Sequence, residues 1–176
     1  MQITLIEYTI KHSIRCLQFT LDKGTIEMLL DFNLYLKFPA ILKDKLIKGD
    51  LVFSDNTLFE YEPIHAYRAI ERKADDNSPV SRLDFRSYFE LKKTPKCPRG
   101  IRPEDYEHNI HYFGASCFTK REIVEQKMKL PNPHKKLAEG YICQEFGPQE
   151  TKDYHVCWWL YDCINVNTFT IVEDFD

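Results

Sequence analysis

The sequence predicts an α+β fold with a largely antiparallel or mixed sheet and a few helices. Strand-type patterning comes in runs, at residues 64–70, 110–118 and three times after residue 136, and does not alternate strictly with helices. Helical start and stop signals are confined to a few short stretches. With 43% hydrophobic and 14% aromatic residues in 176, the chain has enough apolar material to bury a core without staples.

Residues 2–10 read as a strand with Ile3, Leu5 and Tyr8 alternating, and residues 13–21 as its hairpin partner, ended by Asp22-Lys23-Gly24. From Thr25 onward Ile26, Leu29, Leu30, Leu34 and Leu36 recur closer to helical than to strand spacing. Pro39 opens a second helix over 40–47, and Gly49 stops it. Residues 51–53 and 58–61 flank Ser54-Asp55-Asn56-Thr57, whose short polar side chains suit a hairpin turn.

The next section opens with a strand at 64–70 and a polar loop at 71–78 closed by Pro79, while 81–91 fits helix or strand. Pro95, Pro98, Gly100 and Pro103 make 94–103 an irregular loop or lid. Residues 110–118 read as a buried strand. It leads into a helix ending at Met128, with Thr119-Lys120-Arg121-Glu122 at capping-box spacing and Pro131-Asn132-Pro133 as the stop. Strands follow at 137–146, 155–161 and 169–172. This divides the chain into an N-terminal strand and helix section, 1–63, packed on a sheet-rich section, 64–176, as one compact unit.

Composition excludes several functions. A net charge of -3 gives no overall field toward phosphate backbones, so non-specific nucleic-acid binding is not expected. No run of roughly 18 apolar residues offers a membrane span, and residues 1–13 lack the pattern of a signal peptide, which predicts a cytoplasmic protein. Six scattered cysteines in a chain of this size read as free thiols. Neither a dinucleotide glycine fingerprint nor a P-loop occurs.

Three constellations carry chemistry. His108 and His111 with Cys97 or Cys117 have zinc-type donors, and His155 and Cys157 share a strand face, but neither set has the spacing of a metal site, so no metal is expected. Cys117, beside the start of the 119–128 helix, with His111 as base, is a possible nucleophile, weighed against simple core packing. The third constellation lies in chain order: Tyr67-Arg68-Ala69 on an early strand, Phe113-Gly114-Ala115-Ser116 on a strand running into a helix, and Glu145 and Glu173 on late strands.

In that order the chain, over residues 64–176, resembles the ADP-ribosyltransferase-like group of NAD-binding folds. There an early Arg or His, a mid-chain Ser or Tyr and a late Glu face one cleft. The resemblance implies NAD as cofactor. Arg68, with Tyr67 beside it, would anchor a phosphate or ribose; Ser116 would position the nicotinamide ribose, and Glu145, ahead of Glu173, would stabilise the oxocarbenium-like centre. It further implies that Arg68→Ala loses NAD affinity with little change in melting temperature. The alternative is a non-catalytic protein-interaction module of inhibitor or immunity type. Its basis is Trp158-Trp159, adjacent on one strand near Tyr154 and Tyr161, where the two indoles point to opposite faces and one needs a cover.

Overall fold

The computed structural model describes residues 17–21, 24–28, 36–91, 107–162 and 165–172. The expected strand at 2–10 and the loop at 94–103 lie outside them. Strands β1 (Leu17–Leu21) and β2 (Gly24–Met28) form an antiparallel hairpin in register from Leu17↔Met28 to Leu21↔Gly24. This corrects the helical reading of 24–28. Leu21 opposite Gly24 leaves a two-residue connection, and β-branched Thr25 and Ile26 suit a ladder better than a first helical turn.

Helix α1 (Ala40–Lys48) forms as its signals require. Pro39 is the N-cap, and Gly49 closes the helix in the left-handed region at φ 72°, its N–H donating to the Leu46 carbonyl. Thr57 N–H donates to Ser54 C=O at 3.0 Å, so the expected turn is present, but the expected hairpin is not. Leu58 pairs instead with Gln149, while Leu51 and Phe53 turn their side chains into the core beside α1.

The main sheet has six strands: β3 (Ile64–Glu71), β4 (Ala115–Phe118), β5 (Lys135–Ile142), β6 (Gln149–Lys152), β7 (His155–Trp158) and β8 (Phe169–Val172). Their order is β6-β7-β4-β3-β5-β8, with every neighbouring pair antiparallel. With α1 and helix α2 (Arg121–Met128), this is the α+β fold the patterning predicts. β3 pairs with β5 along its whole length, but with β4 only at Tyr67↔Phe118. The sheet is therefore two three-stranded halves joined at one residue pair.

Other expectations shift by a turn or an element. Residues 110–113 form a 3-10 turn whose start is capped by Asn109, and β4 begins only after Gly114. Gly114 is needed there because a Cβ would collide with the Cys157 sulfur. Residues 82–85 form a 3-10 turn, neither helix nor strand, closed by reciprocal hydrogen bonds between Ser81 and Asp84. β5 ends at Ile142, and 144–146 is again a 3-10 turn. Helix α2 is capped by Lys120 without a side-chain bond, because Thr119 spends its N–H on the Tyr154 carbonyl.

The core lies on both faces of the sheet. On one, Ala66, Ile70, Cys117, Ala138, Ile142 and Trp158 pack against Val80, Phe85 and Phe169. On the other, Val124 of α2 covers Phe118 and Leu137, and Phe38, Leu42, Leu46 and Phe53 join Phe113, Trp159 and Tyr161. Residues before 64 thus share a core with residues after it. Both indoles are fully buried, Trp158 edge-on to Phe85 and Trp159 edge-on to Phe53. Among the described residues no helix is long and apolar enough to cross a membrane.

Candidate functional site

The site forms where the sheet comes apart. Thr119 N–H bonds to β7's side of the sheet through Tyr154, so by alternation the peptide groups of Ser116 and Phe118 point toward β3. Phe118 meets Tyr67 there. Ser116 meets a side chain instead: Arg68 Nη1 donates to the Ser116 carbonyl at 2.6 Å.

The same guanidinium donates from Nε to the Asp84 carbonyl at 2.9 Å and from Nη2 to the Arg86 carbonyl at 3.1 Å, and lies 5.3 Å from the Phe85 ring centroid. Three backbone carbonyls from two segments hold it in a fixed plane, with its other N–H groups uncommitted by these bonds. A cleft of about 230 Å³ opens beside it, lined by Arg68, Leu83, Arg86, Tyr88, Ser116 and Lys135 among others.

The loop that carries Asp84 is anchored separately. Arg72, one further alternate pair along β3, grips the Asp84 carboxylate with Nη2 at 2.6 Å and Nε at 3.0 Å, and also donates to the Pro79 carbonyl at 2.9 Å. Burial alone would raise the Asp84 carboxyl, but Arg72 and the Ser81 N–H hold it below its ordinary value. Because Asp84 is committed to Arg72, Arg68 reaches only its backbone.

On the β7 side, Ser116 Oγ and His155 Nε2 share a hydrogen bond of 2.7 Å. Ser116 sits opposite Cys157, and His155 opposite Phe118, so the two are diagonal neighbours on one face. The His155 ring stands at 62° to the Phe118 ring, 5.2 Å away. Burial, helped by the positive neighbours Lys127 and His111, pushes the imidazole below its ordinary pKa, so the ring is neutral at neutral pH and can accept a proton. Among the described residues no carboxylate hydrogen-bonds to His155.

Of the residues singled out in the sequence, Arg68 and Ser116 therefore meet in one cleft. Tyr67 does not line it: it lies on the opposite face of β3, beside His65 and across from Glu139. Glu145 is exposed on the 3-10 turn at 144–146. That turn follows Ile142, which pairs with Ile64, whereas Arg68 pairs with Ala138. Four residues of strand, about 13 Å, thus separate Arg68 from the end of β5 that leads to Glu145. Glu173 lies outside the described residues.

The residue that joins Ser116 from a late strand is His155. Its alternation with Cys157 was legible as a shared face, but its partner was not, because nothing local encodes that β7 lies beside β4. Cys117 points away from Ser116 into the core, is fully buried, and has its thiol pushed up to about 11 by burial, so it is a packing residue. His111 is exposed on the 3-10 turn. No group of three metal-donor side chains occurs among the described residues. Cys117, Cys143 and Cys157 are free thiols.

No family model, curated protein or solved structure matches the chain.

Proposed function

We propose that the chain is a small ADP-ribosyltransferase-like protein that binds NAD in the seam between β3 and β4. One observation carries this reading: an early arginine, a serine on a strand that runs into a helix, and a late-strand residue come together at one cleft, as Arg68, Ser116 and His155. The late position is taken by an imidazole, His155, in place of the carboxylate expected from Glu145.

In this reading the fixed guanidinium of Arg68 offers its remaining N–H groups to a ribose hydroxyl or phosphate oxygen. The hydroxyl of Ser116 positions the nicotinamide ribose. A volume of about 230 Å³ takes one mononucleotide half of the cofactor. The pyrophosphate and the second half lie at the mouth, where Arg86 and Lys135 supply positive charge. A docking module built on Trp158 or Trp159 loses the feature that motivated it, since both indoles are buried.

The test is a titration of the protein with NAD, followed by melting temperature and calorimetry, beside Arg68→Lys. A saturable shift that the lysine variant weakens supports the reading. Absence of any shift at millimolar NAD overturns it.

A further inference from the structure

Resting on the NAD reading, we infer that Ser116 is itself a nucleophile and that the chain transfers ADP-ribose from NAD onto its own Ser116. The cleft holds a hydroxyl and an imidazole at 2.7 Å, the arrangement of a nucleophile with its general base. It does not hold a carboxylate free to activate an outside acceptor. Of the two acids lining it, Asp84 is gripped by Arg72, and Glu71 stands opposite Lys135 on the β3–β5 ladder. His155 is thus the base beside the cleft, and its hydrogen bond is committed to Ser116.

The step balances without a further reactant. Ser116 Oγ attacks the anomeric carbon of the nicotinamide ribose, and the new O–C bond forms as the glycosidic C–N bond breaks. The electron pair of that bond goes to the pyridinium ring, which leaves as neutral nicotinamide. The hydroxyl proton passes to His155 Nε2, and the imidazolium returns it to solvent. Arg68, whose Nη1 is bonded to the carbonyl of Ser116 itself, fixes the nucleophile's backbone against the ligand.

The experiment incubates the full chain with NAD and follows intact mass, peptide mapping and nicotinamide release. The expected result is one ADP-ribosyl group per chain, located on Ser116, with an equal amount of nicotinamide released. Ser116→Ala should form no adduct while keeping the thermal shift with NAD. His155→Gln should slow adduct formation by about a hundredfold or more, the usual contribution of a general base. Thermal melts of both variants without NAD establish that each is folded. Three results overturn the inference and leave the NAD reading standing: an NAD-dependent thermal shift without adduct, an adduct on another residue, or an unchanged rate in His155→Gln. No thermal shift in the parent chain overturns both.

Discussion

Arg68 does for Ser116 what a neighbouring strand would otherwise do. Its Nη1 donates to the Ser116 carbonyl at 2.6 Å, two residues from the one backbone pair that joins β3 to β4. A side chain in place of a ladder leaves open space beside the serine, and that space is the cleft.

Arg68→Met is expected to lower stability by about 3–5 kcal/mol, because it orphans the carbonyls of Asp84, Arg86 and Ser116 together. Urea unfolding measures the loss. This departs from the sequence-based expectation that removing Arg68 spares the melting temperature, since that reading treated the side chain as facing a ligand alone. Arg68→Lys should retain more stability than Arg68→Met while still weakening NAD, as an ammonium cannot span three acceptors in one plane.

The rate of Ser116 modification should be flat from pH 7 upward and fall on acidification, with its midpoint below the ordinary histidine value. His155 is shifted down by burial and by Lys127 from α2 and His111 from the 3-10 turn. The same sign applies to stability. A histidine held neutral in the fold contributes fully above its unfolded pKa, and that contribution is lost as pH falls toward the folded one. His155→Gln should therefore flatten this part of the pH-stability curve, read from melting temperatures between pH 5 and 7.

Asp84→Ala is expected to cost about 3–5 kcal/mol, since it leaves the Arg72 guanidinium buried without its carboxylate. The Asp84 carboxyl is depressed in the fold, so its contribution is present above the unfolded carboxylate value and lost as pH falls through the folded one. Denaturant titrations at pH 7 and pH 3 should show the gap between parent and variant narrowing in acid.

Glu145→Gln should leave NAD binding and modification of Ser116 unchanged. The side chain is exposed beyond β5 and lines none of the cleft. Calorimetry with NAD and the adduct assay check this, and a large effect of the variant would restore Glu145 to the site.

What was legible in the sequence was whatever local chemistry decides. Pro39 and Gly49 bracket α1 because one presets the entry and the other tolerates the exit conformation. Ala66 and Ile70 mark the buried face of β3 by alternation. β6 escaped notice because Gln149-Glu150-Thr151-Lys152 forms a polar edge strand without an apolar stripe. Arg68 and Ser116 could be picked out as chemically suited to one cleft. His155 could not be matched to Ser116, and Glu145 could not be set aside, because both depend on strand order, which is a property of long-range packing.

The burial of Trp158 and Trp159 on opposite sides makes the chain its own two-channel fluorescence reporter. Trp158 emits from the cluster that contains Phe85, beneath Arg68, and Trp159 from the cluster built on α1. With Trp159 replaced by Phe, the remaining emission follows the core under the cleft; with Trp158 replaced, it follows the packing of the early helix. Coincident transitions in the two single-indole chains would mark one cooperative unit, and separated ones would time the release of residues 38–53 from the sheet.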